Sequence, residues 1–302
     1  MHRGLARFFI VHPLLGGGRW TKDPHSGVSH RRMFATGGER SAIPFVAVVQ
    51  GASRGLGAEF CRQLLARDES TYVVACSRSP ETSPELNLLQ ATYGAERLVT
   101  LPLDLAKEAT IETAAETIRN LHGRVDLLIN TAGVLHIPGT TMQPETTVAK
   151  LDHNNMLLSF QTNCLGPMLV CKHLVPLMAR RSSALSDTPR SRVIANLSAR
   201  VGSIGDNGLG GWYSYRGSKA ALNQMSKTLA IELGRKQSGI TVLMLHPGTC
   251  DTDLTKPFQK NVRPEKLFPR ERGVEQLLTI IDRATEEDNG KFYDWKGDVV
   301  PW

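Results

Sequence analysis

Four side chains in the second half of the sequence could together handle a proton at a carbonyl or alcohol oxygen. Tyr215 and Lys219 stand four residues apart, so a helix would put them on one face. A free phenol with a pKa near ~10 cycles poorly at neutral pH, and a neighbouring ammonium favours its phenolate. Ser198 follows the apolar run 193–197 and could polarise a carbonyl, while Asn163 could hold a water that relays protons. Tyr213 is the rival tyrosine, but four residues on it meets Gly217. Each residue alone has an ordinary reading as an amphipathic tyrosine, a solvated lysine, a strand-end turn or a satisfied helix amide. Their order along the expected elements gives the set its weight.

A second constellation suits a phosphate-bearing ligand. Gly51-Ala52-Ser53-Arg54-Gly55-Leu56-Gly57 lies between an apolar run and a helical pattern. Glycine lets the backbone turn tightly against a pyrophosphate, with the free N–H groups of the helix start facing the anion. The spacing is Gly-x-x-x-Gly-x-Gly, and by itself it could be a tight connection. Cys76-Ser77-Arg78 ends the next expected strand without the acid that an adenosine ribose hydroxyl would want. Ser77 and Arg78, with Arg54, instead leave room for a phosphate, which favours NADP over NAD. Asp104 could cap a turn or contact an adenine, and Asn130-Thr131-Ala132-Gly133 puts small residues where a ribose would pass.

These groups need elements to bring them together. Apolar runs at 45–49, 72–75, 98–101, 125–129, 193–197 and 240–245 read as strands buried on both faces. Between them fall helical patterns at 56–67, 111–121, 147–180 and 215–234, the third bent at Pro167 and Pro176. Alternation of this kind predicts an α/β fold, a doubly wound parallel sheet of Rossmann type with helices on both faces. Ligands then bind beyond the carboxyl ends of the strands, where every motif above falls. The stretch 182–191 reads as a polar surface loop, and 253–270, with Pro257, Phe258, Phe268 and Pro269, as a cap over the site.

Composition removes the main alternatives. With 41% hydrophobic and 22% charged residues the chain can bury a core. No run reaches the ~18 apolar residues of a membrane span. Five cysteines without a Cys-x-x-Cys pair argue against a disulfide framework and against a thiolate metal site, so no metal is expected. Cys164 and Cys171 read as packing residues. The net charge of +7 is concentrated at the start: residues 1–40 hold seven Arg and Lys against Asp23 and Glu39. The nearly neutral remainder carries no basic stripe, so nucleic acid is not an expected partner. Residues 1–40 themselves, Arg-rich and poor in acids, read as an organelle transit peptide or a basic tail. Arg32-Met33-Phe34-Ala35 fits mitochondrial processing and so the matrix; plastid import and, for a mere tail, the cytoplasm are the alternatives.

Taken together, residues 44–302 resemble the short-chain dehydrogenase/reductase family. The family's glycine motif falls on Gly51, Gly55 and Gly57, its Asn-Asn-Ala-Gly on Asn130-Thr131-Ala132-Gly133, and its catalytic tetrad on Asn163, Ser198, Tyr215 and Lys219. Its Pro-Gly segment falls on Pro247-Gly248-Thr249, with Thr252 beyond. Asn163-Cys164-Leu165-Gly166-Pro167, the segment 246–254 and the ending Pro301-Trp302 resemble the C-factor-like branch, which includes small carbonyl reductases. The resemblance implies an NADP(H)-dependent oxidoreductase acting on a small carbonyl or alcohol, assembled as a homodimer or homotetramer. It implies cofactor contacts from Ser53, Leu56, Leu105, Ala132, Tyr215 and Lys219 besides those already named. Gln50 and Thr131 depart from the family's Thr and Asn. Ser198 and Tyr215 are 17 apart because the loop 205–211 is enlarged, and that loop should border the substrate.

Overall fold

Val46-Ala47-Val48-Val49 has no polar face, so a strand built from it must be covered on both sides. The computed structural model, which describes residues 44–178 and 192–302, shows that cover. The chain divides into Met1–Ser41 and a compact unit, Ala42–Trp302. In the latter, β1 (Phe45–Gln50) leads into α1 (Gly55–Arg67), β2 (Thr71–Ser77), α2 (Pro84–Tyr93), β3 (Leu98–Pro102), α3 (Glu108–His122) and β4 (Leu127–Asn130). Next come α4 (His153–Phe160), α5 (Gly166–Met178), β5 (Arg192–Leu197), α6 (Tyr213–Arg235), β6 (Ile240–His246), α7 (Arg270–Asp282) and β7 (Lys291–Asp294).

The seven strands form one parallel sheet in the order 3-2-1-4-5-6-7. Alternate residues of each strand feed opposite cores. Ala47, Val49, Val73 and Ala75 pack with Phe60 and Leu64 of α1 and Leu277 of α7. Val48, Val74 and Cys76 pack with Ile111 of α3, Leu174 of α5 and Leu233 of α6. Strand order reverses between β1 and β4, where Gln50 lies beside Asn130. A parallel sheet opens a crevice at such a reversal, because the chains leaving the two strands diverge to opposite faces.

All six expected strands are present, and β7 is a seventh. Its residues alternate in burial, with Phe292 and Asp294 buried and Lys291 and Tyr293 partly exposed, as suits an edge strand. Neither α2 nor α7 was expected. The helix expected over 147–180 runs as one helical stretch over 153–178, in which a π-helical turn, Gln161–Leu165, separates α4 from α5. Pro167 stands just after that turn, so its missing N–H leaves a carbonyl of the preceding helical turn without its usual donor, and Pro176 is accommodated inside α5. The polar stretch 182–191 lies outside the described residues.

Candidate active site

The glycine turn leaves β1 with Gly51 at φ +86°, a conformation that costs other residues but not glycine. A side chain there would stand 2.6 Å from the backbone nitrogen of Ala132, so only glycine lets the two strand exits approach. Thr131, where the family has Asn, does specific work at that contact. Its hydroxyl donates to the carbonyls of Gln50 at 2.7 Å and Gly51 at 3.2 Å. No side chain caps the start of α1, and its first turn holds no acid, so its N–H groups remain open to an anion. Ser77 Oγ and Gln50 Oε1 are buried at the same edge of the sheet without a hydrogen-bond partner. Orphaned buried polar atoms are costly, and a bound polar ligand would satisfy them.

On the other side of the crevice, β5 and α6 bring three of the four candidate reactive side chains together. Tyr215 is 8% exposed and Tyr213 44%, which decides between the two tyrosines. The Tyr215 hydroxyl makes no hydrogen bond among the described residues. Lys219 Nζ lies 5.9 Å from the Tyr215 ring centre and donates to Leu197 O at 2.8 Å. Ser198 Oγ donates to Asn223 Oδ1 at 2.6 Å. A carbon added at Gly133 would stand 3.6 Å from Lys219 Nζ and 3.5 Å from Asn163 Oδ1, which places the end of β4 against the same cluster.

Asn163 sits in the π-turn and is fully buried. Its carboxamide accepts from Val134 N at 2.7 Å and donates to Val134 O at 2.8 Å and Ser218 Oγ at 3.0 Å. Both ends of the amide are therefore engaged in joining α4 and α6 to the loop after β4. A water-holding part for this side chain is not what the geometry offers. A π-turn shifts the carbonyl ladder, so a backbone carbonyl is the better place to seek one.

Burial dominates the titration of the cluster. It pushes the Tyr215 phenol up to about 12 and the Lys219 ammonium down to about 8. Both changes follow from withdrawing a charged form from water. The expected lowering of Tyr215 by Lys219 is not seen in the protein alone, where burial sets the direction. Lys219 at about 8 still holds its proton by roughly ten to one at pH 7.

Apolar and aromatic side chains wall this cluster. Leu135, Ala199 and Tyr215 pack with Val201, Trp212, Leu254 and Phe258. Trp212, at φ 52°, sets its ring 5.1 Å from Phe258 and 6.3 Å from Tyr215, and His136 meets Phe258 edge-on at 5.9 Å. The expected cap therefore divides in two. Leu254 and Phe258 face the site, whereas Phe268 turns under Gly248 and packs against Trp295 and Arg272. The enlarged loop exposes Leu209, as Ile204 just before it is exposed, and Arg216 holds its end through the carbonyls of Gly210 and Gly211.

Glu145 was not reached by sequence reasoning. It is buried, binds Ser214 through its hydroxyl and backbone N–H, and accepts from Trp212 N through its own carbonyl, so it fixes the start of α6. No local spacing links residues 69 apart, and no signal in the sequence pointed to it.

A crevice with a glycine turn on one wall and a Tyr215–Lys219 helix on the other matches known proteins. The short chain dehydrogenase pattern matches residues 45–263, most of the chain. The chain belongs to this family. It is 33% identical to the C-signal of Myxococcus xanthus over 60% of this chain and 94% of that protein. It is 28% identical to the 1-hydroxy-2-glutathionyl-2-methyl-3-butene dehydrogenase of Rhodococcus sp. (strain AD45), over 84% and 98%. Among solved structures, the NADPH-bound carbonyl reductase from chicken fatty liver superposes with a TM-score of 0.72, at 29% identity over 86% of this chain and 99% of that one. This short-chain dehydrogenase is accordingly an NAD(P)-dependent oxidoreductase.

Many of the residues expected to hold the dinucleotide fall at or just beyond the carboxyl ends of β1, β2, β3, β4 and β6 in this dehydrogenase. Thr252 approaches Gly55 to 3.7 Å of an added carbon, and Thr249 begins a two-residue ladder with Leu267. Arg54 pairs with Asp253 at 3.4 Å, both exposed, so a phosphate would compete with a weak ion pair. Ser53 accepts through its carbonyl from Ser83 Oγ at 2.6 Å. Asp104, read as a turn cap or an adenine contact, does cap its turn, accepting from Ala106 N at 3.0 Å. One expectation narrows. The side chain of Leu105 is taken up by the core against Gly166, which leaves at most its backbone for a ligand. Among the described residues no group of His, Cys, Asp or Glu could hold a metal, and no helix is long and apolar enough to cross a membrane.

Proposed function

We propose that this protein reduces a small apolar or aromatic carbonyl compound with NADPH, or runs the reverse oxidation of the alcohol. The observation that carries the reading is the unpaired Tyr215 hydroxyl, held beside Lys219 in an aromatic-walled crevice. The glycine turn, Ser77, Arg78, Lys219 and the 247–249 segment would hold the dinucleotide, and Ser77 Oγ and Gln50 Oε1 are the unsatisfied atoms that favour a polar occupant. When bound, the nicotinamide supplies or takes up the hydride.

The chain's own residues handle the proton. A phenol near 12 is fully protonated at neutral pH and so is ready to donate at its oxygen to a developing alkoxide. The phenolate left behind stands beside the Lys219 ammonium, which offsets its charge in a site that excludes water. Ser198 Oγ, fixed at the end of β5, meets the substrate oxygen from a second direction. Trp212 and Phe258 supply the flat apolar walls, which suit an aromatic or hydrophobic substrate better than a charged one.

Preference for NADPH rests on Ser77 and Arg78 at the end of β2 and on the NADPH that the chicken reductase binds. The test is NADPH absorbance with a panel of aromatic aldehydes, quinones and diketones, repeated with NADH. Turnover with NADPH and a much smaller rate with NADH supports the reading; equal rates refute the preference.

A second reading has its own support. The relationship to the C-signal makes a dinucleotide-binding protein that signals by contacts the alternative. Against it, no member of the Tyr215, Lys219 and Ser198 set is missing. We also propose that residues 1–40 direct the protein to the mitochondrial matrix and that it assembles as a homodimer or homotetramer. Leu157, Leu165, Met225 and Ile231, on α4, the π-turn and α6, are 39–57% exposed and would be covered by such assembly.

A further inference from the structure

Ser198 is held by a residue that none of the motifs reaches. Asn223 lies on α6 two turns beyond Tyr215 and one beyond Lys219, so the three side chains descend one helix face. At the end of β5 its Oδ1 accepts the Ser198 hydroxyl at 2.6 Å, and both residues are buried, 3% and 4% exposed. The neighbouring links between β5 and α6 use other pairs: Lys219 Nζ with Leu197 O, and Asn196 Nδ2 with Ser226 Oγ, each at 2.8 Å. The Asn223 side chain therefore serves Ser198 alone, and its Nδ2 is buried without a partner. A leucine of similar size would fill this position without an unsatisfied donor, so the amide adds nothing to packing that explains it.

We propose that Asn223 is a positioning residue for the reaction at Tyr215, fixing the Ser198 hydroxyl against the substrate oxygen. This rests on the reading of the site as a carbonyl reductase. A hydroxyl has one hydrogen and two lone pairs. With the hydrogen given to Asn223 Oδ1, Ser198 Oγ is anchored and its lone pairs can accept from an alcohol. For a carbonyl, the hydroxyl must donate to the substrate instead. Turning the Asn223 amide over brings the unpartnered Nδ2 to the place of Oδ1, and Oγ can then accept from it without moving. The amide thus supports Ser198 in either hydrogen-bonding direction, which a carboxylate or an apolar side chain cannot do.

The test is a double-mutant cycle on the full-length chain with Asn223→Leu, Ser198→Ala and the pair. The readouts are kcat for carbonyl reduction and the NADPH Kd by fluorescence titration. Asn223→Leu should lower kcat by about 10- to 100-fold, the cost of a misplaced reacting group, and leave the NADPH Kd within about twofold. In the Ser198→Ala background the same change should cost less than about twofold more, because the residue through which it acts is gone. Losses that multiply would overturn the role, as would a parallel loss of NADPH binding. Asn223→Ala, run through the same cycle, replaces the leucine variant if that one does not fold. A wild-type chain that reduces no carbonyl would refute the proposed reaction and this role together, whereas wild-type turnover with multiplying losses would refute the role alone.

Discussion

At the scale of single residues, Tyr215 and Lys219 pose opposite demands that burial reconciles. A phenol held near 12 keeps its proton until an alkoxide takes it, and an ammonium lowered to about 8 is charged at pH 7 yet close to losing that charge. The sign for activity follows. As pH rises through about 8, Lys219 becomes neutral and no longer offsets the phenolate, so kcat for reduction should fall above that point. A profile of kcat from pH 6 to 10 checks this, and a rate that is flat to pH 10 contradicts it. Arg78 carries a second prediction. Arg78→Asp puts an acid where a phosphate would lie, and should raise the KM for NADPH about tenfold or more with little change for NADH. Steady-state kinetics with both cofactors reads it. The residues behind these predictions were legible because their chemistry comes with a fixed spacing, as in Tyr215 and Lys219. Asn223 and Glu145 were not, since each acts through a partner far along the chain that only the folded arrangement reveals.

Elements hold those residues at working distance through close backbone approach. Gly202 shows how tight that is. A side-chain carbon there would stand 2.7 Å from Cβ of Lys219 and 3.0 Å from its backbone carbon, so the turn after β5 rests directly on α6. Gly202→Ala must push the two apart, moving Lys219 relative to Ser198. It should lower kcat about 10-fold or more and destabilise the fold by about 1–3 kcal/mol, read by steady-state kinetics and urea unfolding. Central strands were legible here because apolar runs buried on both faces leave no ambiguity. The edge strand β7 and the outer helices α2 and α7 were not, because α7 begins among charged residues and β7 spans only four positions. The π-turn between α4 and α5 escaped for a different reason: nothing in Gln161-Thr162-Asn163-Cys164-Leu165 forbids an α-helix, and Asn163 bonds Val134 and Ser218, partners that only the folded arrangement reveals.

Over the whole molecule, the positive charge is concentrated in residues 1–40 ahead of a nearly neutral remainder, which is the basis of the address proposed for that start. A fluorescent protein carrying residues 1–40 should enter mitochondria, and diffuse cytoplasmic signal would contradict the proposed address. For assembly, Leu165→Glu should shift the sedimentation of the full chain toward the monomer if the face of α4 and α6 is covered in solution. Tyr215 is proposed to supply the proton, while NADPH is held chiefly by other residues. The most direct measurement sets wild-type chain beside Tyr215→Phe and records both the NADPH Kd and the rate of carbonyl-dependent NADPH oxidation. The expected result is an NADPH Kd within about tenfold of wild type and a loss of about 100- to 10,000-fold in rate, the range for removing a general acid. A variant that keeps wild-type turnover would contradict it, as would a wild-type chain that binds NADPH tightly and oxidises none with any carbonyl offered.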